Sequence, residues 1–267
     1  LERSIEVYSI RSTIAVKLAS CSLAAAAVVA ISGMMLPVAD APTPSAAASA
    51  ADLAAAAEEI VKGLEPTVAS ATSFKQDQEG VEHNAYVLAL IANSIADAEG
   101  DAKWKASALA VRDAALELAK AKAQTAAAKA VKDIKSLTEG AGKAAGAGKA
   151  MKPLEVCSLT HVMKEVNNRN RPMRKNLRAL ARNQDTVRRD AQVWAVLAAA
   201  ARNDTKSAQT AKKSQEPFEK LSDEFFTHSK SLADAAKKGD QNAANEALKA
   251  VSAACANCHK DYRPDLE

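Results

Sequence analysis

Cys255, Cys258 and His259 stand in one short run, Cys255-Ala256-Asn257-Cys258-His259, whose residue types and spacing can do chemistry. Two thiols three residues apart near a helix end share a face, and each can add to a vinyl group of a porphyrin. The adjacent imidazole is then placed to bind the iron from the proximal side. A bare Cys-x-x-Cys would suit zinc, thiol exchange or haem. The immediate His, the single copy of the motif, the lack of a second Cys pair for tetrahedral zinc, and an N-terminus with export features favour covalent haem c, one group per chain. The four cysteines do not form a disulfide framework: Cys21 falls in the apolar N-terminal run, and Cys157 reads as a small buried hydrophobe.

The elements that must hold this motif are helices. Aromatic residues are only 3% of the chain, and alanine dominates an apolar fraction of 48%. Alanine favours helix but removes little surface from water, so such helices pack closely and gain from a large apolar guest. Five aromatics (Trp194, Phe218, Phe225, Phe226 and Tyr262) lie beyond residue 190, where that guest is expected. Apolar residues recur at helical spacing along four segments, about 153–183, 185–202, 217–238 and 241–261. Pro217 suits a first helical turn, Gly239 a C-terminal cap and Asp240 the next N-cap. No strand pattern stands out. Short connections make these helices antiparallel neighbours in a four-helix bundle.

Sliding the chain on itself by 106 residues aligns 66–95 with 172–201, bringing Pro66 onto Pro172, Gln78 onto Gln184 and Ala85 onto Ala191. A shift of 114 puts Trp104 on Phe218, Leu118 on Leu232 and Ile134 on Leu248. The pattern predicts an all-α chain of two tandem antiparallel four-helix bundles, at 51–138 and 153–267, joined by a Gly-rich linker at 139–152. Where the second copy reads AACANCHKDYR the first reads EGAGKAAGAGK, so the first is a copy without haem. Residues 1–41 carry Arg11 and Lys17, then an apolar run from Leu18 to Leu36, then Ala39-Asp40-Ala41, the pattern of an export signal or an uncleaved anchor. Residues 42–50 read as a Pro/Ala/Ser linker, and a periplasmic or otherwise exported location is expected.

At the motif the C-terminal half resembles the class II c-type cytochromes, the cytochrome c-prime family. The segment FEKLSDEFFTHSKSLADAAKKGDQNAANEALKAVSAACANCHKDYR is similar to that family's third and fourth helices, including the Tyr-Arg after the motif. The resemblance covers 153–264 and extends weakly to 51–138. It implies a four-helix bundle with His259 as proximal iron ligand and Arg263 neutralising a haem propionate. It departs from the family in a shorter loop between the second and third helices, which bears on how closed the haem edge is. Members with a Met from the first helix as sixth ligand are low-spin electron carriers; five-coordinate members meet gases such as NO. Here HVMKEVNNRNRPM resembles the low-spin branch, which makes Met163 the candidate distal iron ligand, against a core Met that only packs on the haem.

Three histidines remain. His161 lies off the core stripe and reads as a surface side chain. His228 lies on the third helix's stripe, as a core His or a haem contact, and His83 would need a site between the two halves.

The formal net charge of +4 is uneven: residues 51–150 carry 12 basic and 14 acidic side chains, and 151–267 carry 21 and 15. That is too mild for nucleic acid. The densest basic stretch, Arg169 to Arg189, reads as a solvated face or as a docking surface for an acidic partner. There is no Ser/His/Asp arrangement, phosphate loop or second haem motif, so no enzyme is expected. The expected function is single-electron transport by one haem, with redox proteins as partners. The rivals are a five-coordinate protein binding NO or another small gas, and a haem subunit of a larger redox complex. Oligomers fit any of these.

Overall fold

Long stretches of Ala, Leu, Lys, Glu and Gln favour helix at nearly every position. The structure, a computed structural model, describes residues 41–140 and 148–263, and holds no strand among them. A first set of helices is α1 (Ala50–Val68), α2 (Ala71–Gln76), α3 (Gln78–Asp97), α4 (Ala108–Ala119) and α5 (Gln124–Thr138). A second is α6 (Pro153–Val156), α7 (Leu159–Leu177), α8 (Leu180–Ala201), α9 (Lys206–Thr210), α10 (Gln215–Lys238) and α11 (Gln241–Tyr262). In the first set α1 packs on α3 and α5, and α4 on the same two, which closes a four-membered ring. In the second, α8 packs on α7 and α10, and α10 on α11, while α7 and α11 meet only over a short stretch. The chain is all-α, as expected. The predicted export signal falls outside the described residues except for Ala41, and no described helix is long and apolar enough to cross a membrane.

The helix expected over 153–183 is broken twice. Cys157 is extended, and α7 starts afresh after Ser158. At the other end α7 stops at Leu177, where the Asn183 side-chain amide donates to the carbonyls of Asn176 (3.3 Å) and Ala179 (3.0 Å). An Asn that satisfies carbonyls left over at a helix end competes with continuation of the helix. The later boundaries match expectation. Gly239 takes the left-handed conformation (φ 69°) that ends α10, and Asp240 caps α11 by accepting from the amide of Ala243 at 3.0 Å.

The 106-residue register has a backbone counterpart. Asp77 (φ −130°, ψ 32°) and Asn183 (φ −126°, ψ 19°) are the non-helical residues at equivalent positions, and Pro66 and Pro172 both lie inside a helix. On the 114-residue shift, α5 ends at Thr138 just short of the place that the motif occupies in α11.

The two sets share one continuous hydrophobic core, with α1 lying on α8 and α3 on α7. The described parts of both linker stretches are docked. Ala47 and Ala50 are buried, and Lys230 donates to the Ala46 carbonyl at 2.9 Å. Asn93 exchanges hydrogen bonds with the Met151 backbone (3.0 and 3.1 Å), and the wholly buried Arg112 donates to the Lys149 carbonyl at 2.7 Å.

Candidate haem-attachment site

Helix α11 delivers the motif. Its buried face runs through Ala244, Leu248, Val251 and Ala254, and Cys255 continues it at the edge of the main core. Cys258, one turn on, belongs to a separate small cluster with Ala208, Phe218, Leu221 and Tyr262. Both thiols are free and half-buried. Burial pushes each up to about 11, so they are protonated at neutral pH. Among the described residues no group of three or more His, Cys, Asp or Glu side chains is arranged to hold a metal ion. Two free thiols on successive turns, with His259 half-buried beside them, fit covalent attachment of a porphyrin.

The connection between α8 and α10 secures this end of α11. It carries α9, whose Ala208 packs against Phe218 and Tyr262. Phe218 and Tyr262 meet edge to face with ring centres 5.1 Å apart. The Tyr262 hydroxyl donates to the Ser214 carbonyl at 3.2 Å, and Lys213 pairs with Asp261 at 2.5 Å. The loop that looked short in sequence is therefore folded onto the Cys258 side of the motif. Arg263 is exposed just past α11; its amide donates to the His259 carbonyl at 2.8 Å, and it lines a groove with Ser158, Asn203, Lys206 and Tyr262.

Met163 is half-buried on α7 and packs, like Leu159 and Val166, against the main core. The seam between α7 and α11 is loosely closed, whereas α1 and α5 in the first set pack more extensively. The residues present thus fit a haem held by thioether bonds at Cys255 and Cys258, with His259 available to its iron. His228 is half-buried on α10, and Cys157 is fully buried, with its thiol pushed up to about 12 by that burial.

A buried polar cluster went largely unread in the sequence. His83 of α3 donates from Nε2 to Glu165 of α7 at 2.8 Å, and its Nδ1 lies 3.3 Å from Nδ1 of His161. Glu165 also accepts from Arg169 Nε at 2.6 Å, and the Arg169 guanidinium bonds Asp190 of α8. His83 occupies the site between halves that it was expected to need. His161 is not on the open surface as expected: it is half-buried and stacks on Tyr86 with ring centres 4.6 Å apart. The reason is that α7 buries two faces, one in its own bundle and one against α3. Burial pushes the Glu165 carboxyl up, but His83 and Arg169 outweigh it and hold it below its ordinary value. Burial dominates at Asp190, which has only Arg169 to offset it and feels Glu59 and Glu165, so its carboxyl is held up. Burial and the neighbouring His83 hold the His161 imidazole down.

Comparison with protein families matches residues 158–263 to the family described as Cytochrome C′. Comparisons with curated proteins and with solved structures gave no match. The family is one of haem c proteins engaged in electron transfer or gas binding. The matched stretch runs from the start of α7 to the residue after α11 and contains the attachment motif, the capped bundle around it and Met163. The C-terminal part of the chain is thus similar to the Cytochrome C′ family over residues 158–263.

Proposed function

We propose that the chain is an exported monohaem c-type cytochrome that carries single electrons and is not an enzyme. The observation that carries this reading is the pair of free, half-buried thiols of Cys255 and Cys258 on successive turns beside His259, on a helix whose end is clamped by Tyr262 and Lys213. The haem, when bound, supplies a reversible one-electron couple. The protein's own part is to fix that group by two bonds to α11, to shield it with the apolar side chains of α7, α10 and α11, and to limit what reaches the distal side. Met163 is the residue suited to that side, since a thioether there would favour the reduced state and fill the position a gas needs. Arg263 is assigned to a propionate. In the first half the corresponding helix stops at Thr138 without cysteines, and that half is read as a haemless copy that supports the second.

Absorption spectra of the purified protein, oxidised and reduced, test the reading. A low-spin ferric spectrum and a haem that resists acidified solvent are expected, with covalent haem lost when Cys255 and Cys258 are both replaced by Ser. A high-spin protein that binds NO readily would favour the gas-binding alternative, and extractable haem would defeat covalent attachment.

A further inference from the structure

Between Arg169 and Arg189 the sequence holds eight basic residues and one acid, Asp185. The fold divides the eight into two groups. Arg169, Arg188 and Arg189 are spent on holding helices together: Arg169 on Glu165 and Asp190, Arg188 on Asp52 of α1, and Arg189 on Glu59 of α1 at 2.6 Å. Arg171, Arg174, Lys175, Arg178 and Arg182 all stay exposed, and among the described residues none of them forms an ion pair with a carboxylate. No acid occurs in the sequence from Val166 to Gln184. A solvated helix face ordinarily interleaves both signs and pairs them at i,i+3 or i,i+4, as Lys129–Asp133 and Lys120–Glu117 do on the first half of this chain. Five unpaired cations on one turn-and-corner repel one another, a cost that makes sense where an opposite charge is to be met.

The position of the patch narrows its partner. The C-terminal half of α7 lies against α11: Arg174 Nη2 donates to Ser252 Oγ at 2.9 Å, and Gln241 donates to the Leu177 carbonyl at 2.9 Å. Ser252 precedes Cys255 by three residues, about 4.5 Å along the helix axis. The unpaired positive charge therefore runs beside the helix that bears the attachment motif, from Gln241 at its start, about 21 Å along the axis from Cys255, to Ser252.

We infer that Arg171, Arg174, Lys175, Arg178 and Arg182 form the docking surface for the acidic face of a redox protein that exchanges electrons with this chain. The inference rests on the electron-carrier reading. Steering by such a patch raises encounter rates and is weakened by salt, because exposed charges are screened beyond about 8–10 Å at ordinary ionic strength.

The test uses the full haem-loaded protein and two one-electron donors. Reduced flavodoxin, an acidic protein, passes one electron to ferric haem, giving ferrous haem and the flavin semiquinone. Hexaammineruthenium(II) is a small cationic donor that becomes the ruthenium(III) complex. Replacing Arg171, Lys175, Arg178 and Arg182 together by Gln is expected to slow reduction by flavodoxin at least about tenfold at low salt and to flatten its salt dependence. Reduction by the ruthenium complex should not slow. Helical content and the haem spectrum should be those of the unaltered protein. An unchanged flavodoxin rate with an intact spectrum overturns the docking surface alone. A wild-type protein with no reducible haem overturns the carrier reading, and the docking surface with it. Co-sedimentation of the wild type, but not the variant, with phosphatidylglycerol vesicles, together with equal flavodoxin rates, would assign the patch to a membrane surface instead.

Discussion

Replacing Arg169 by Met should expose what holds α7 to α8 beneath the His83–Glu165 contact with the first half. The Arg169 side chain is 17% exposed, and it joins two carboxylates that are more buried still, Glu165 at 6% and Asp190 at 11%. Met is similar in length, so the main loss is the cation. Removing one member of a buried ion network costs about 3–5 kcal/mol, because the remaining charges stay desolvated without a counter-charge. For a chain of this size that is a fall in melting temperature of about 6–20 °C. The sign of the pH effect follows from which carboxyl loses its partner. Asp190 is already held up by burial, and without Arg169 its carboxyl rises further above its unfolded value. A group raised in the folded state contributes stability at low pH that is lost as pH rises through its folded pKa. The variant's deficit should therefore grow from pH 5 to pH 7, by up to about 2.7 kcal/mol for one carboxyl whose pKa exceeds that window. In the wild type Glu165, held low, stays ionised across the window. Urea unfolding followed by far-ultraviolet circular dichroism at both pH values measures this. Equal midpoints for variant and wild type at pH 7, or a deficit that shrinks as pH rises, would refute the reasoning.

Ser229 on α10 is fully buried, and its hydroxyl has no hydrogen-bond partner among the described residues. Ser229→Ala should therefore be neutral or stabilise by up to about 1 kcal/mol, and a clear loss in urea would mean the hydroxyl has a partner in the working protein. Gly239→Ala should cost about 1–2 kcal/mol, since φ is 69° there and a Cβ would lie 2.4 Å from the Gln184 amide nitrogen; a variant of unchanged stability would argue against that cap. Met163→Ala should turn a low-spin ferric spectrum high-spin and open the iron to NO, whereas an unchanged spectrum would reduce Met163 to a packing residue. Tyr262→Phe removes the bond to the Ser214 carbonyl and should lower stability by about 1 kcal/mol while the haem stays attached; loss of attached haem would mean the hydroxyl does more than clamp.

The sequence by itself determined the helical class, the attachment motif and much of the punctuation. These are local properties. Alanine-rich periodic segments favour helix wherever they sit, Cys255, Cys258 and His259 are defined by spacing alone, and Gly239 and Asp240 act on their own turns. The 106-residue register is a sequence property as well, and it places Pro66 and Pro172 each inside a helix.

Tertiary structure decided what the charged and polar side chains do. A single apolar stripe on α7 predicts one buried face and assigns the opposite side, with His161, Glu165 and Arg169, to solvent. Only the packing of α3 on α7 buries that second face, and it turns Glu165 and Arg169 into partners of His83 and Asp190, residues distant in sequence. The basic run was uniform in sequence for the same reason. Which arginines meet a carboxylate depends on α1, more than a hundred residues earlier, lying along α8 and bringing Asp52 and Glu59 to Arg188 and Arg189. Composition records that charges exist; whether each is neutralised or left facing water is fixed by long-range contacts that no local pattern encodes.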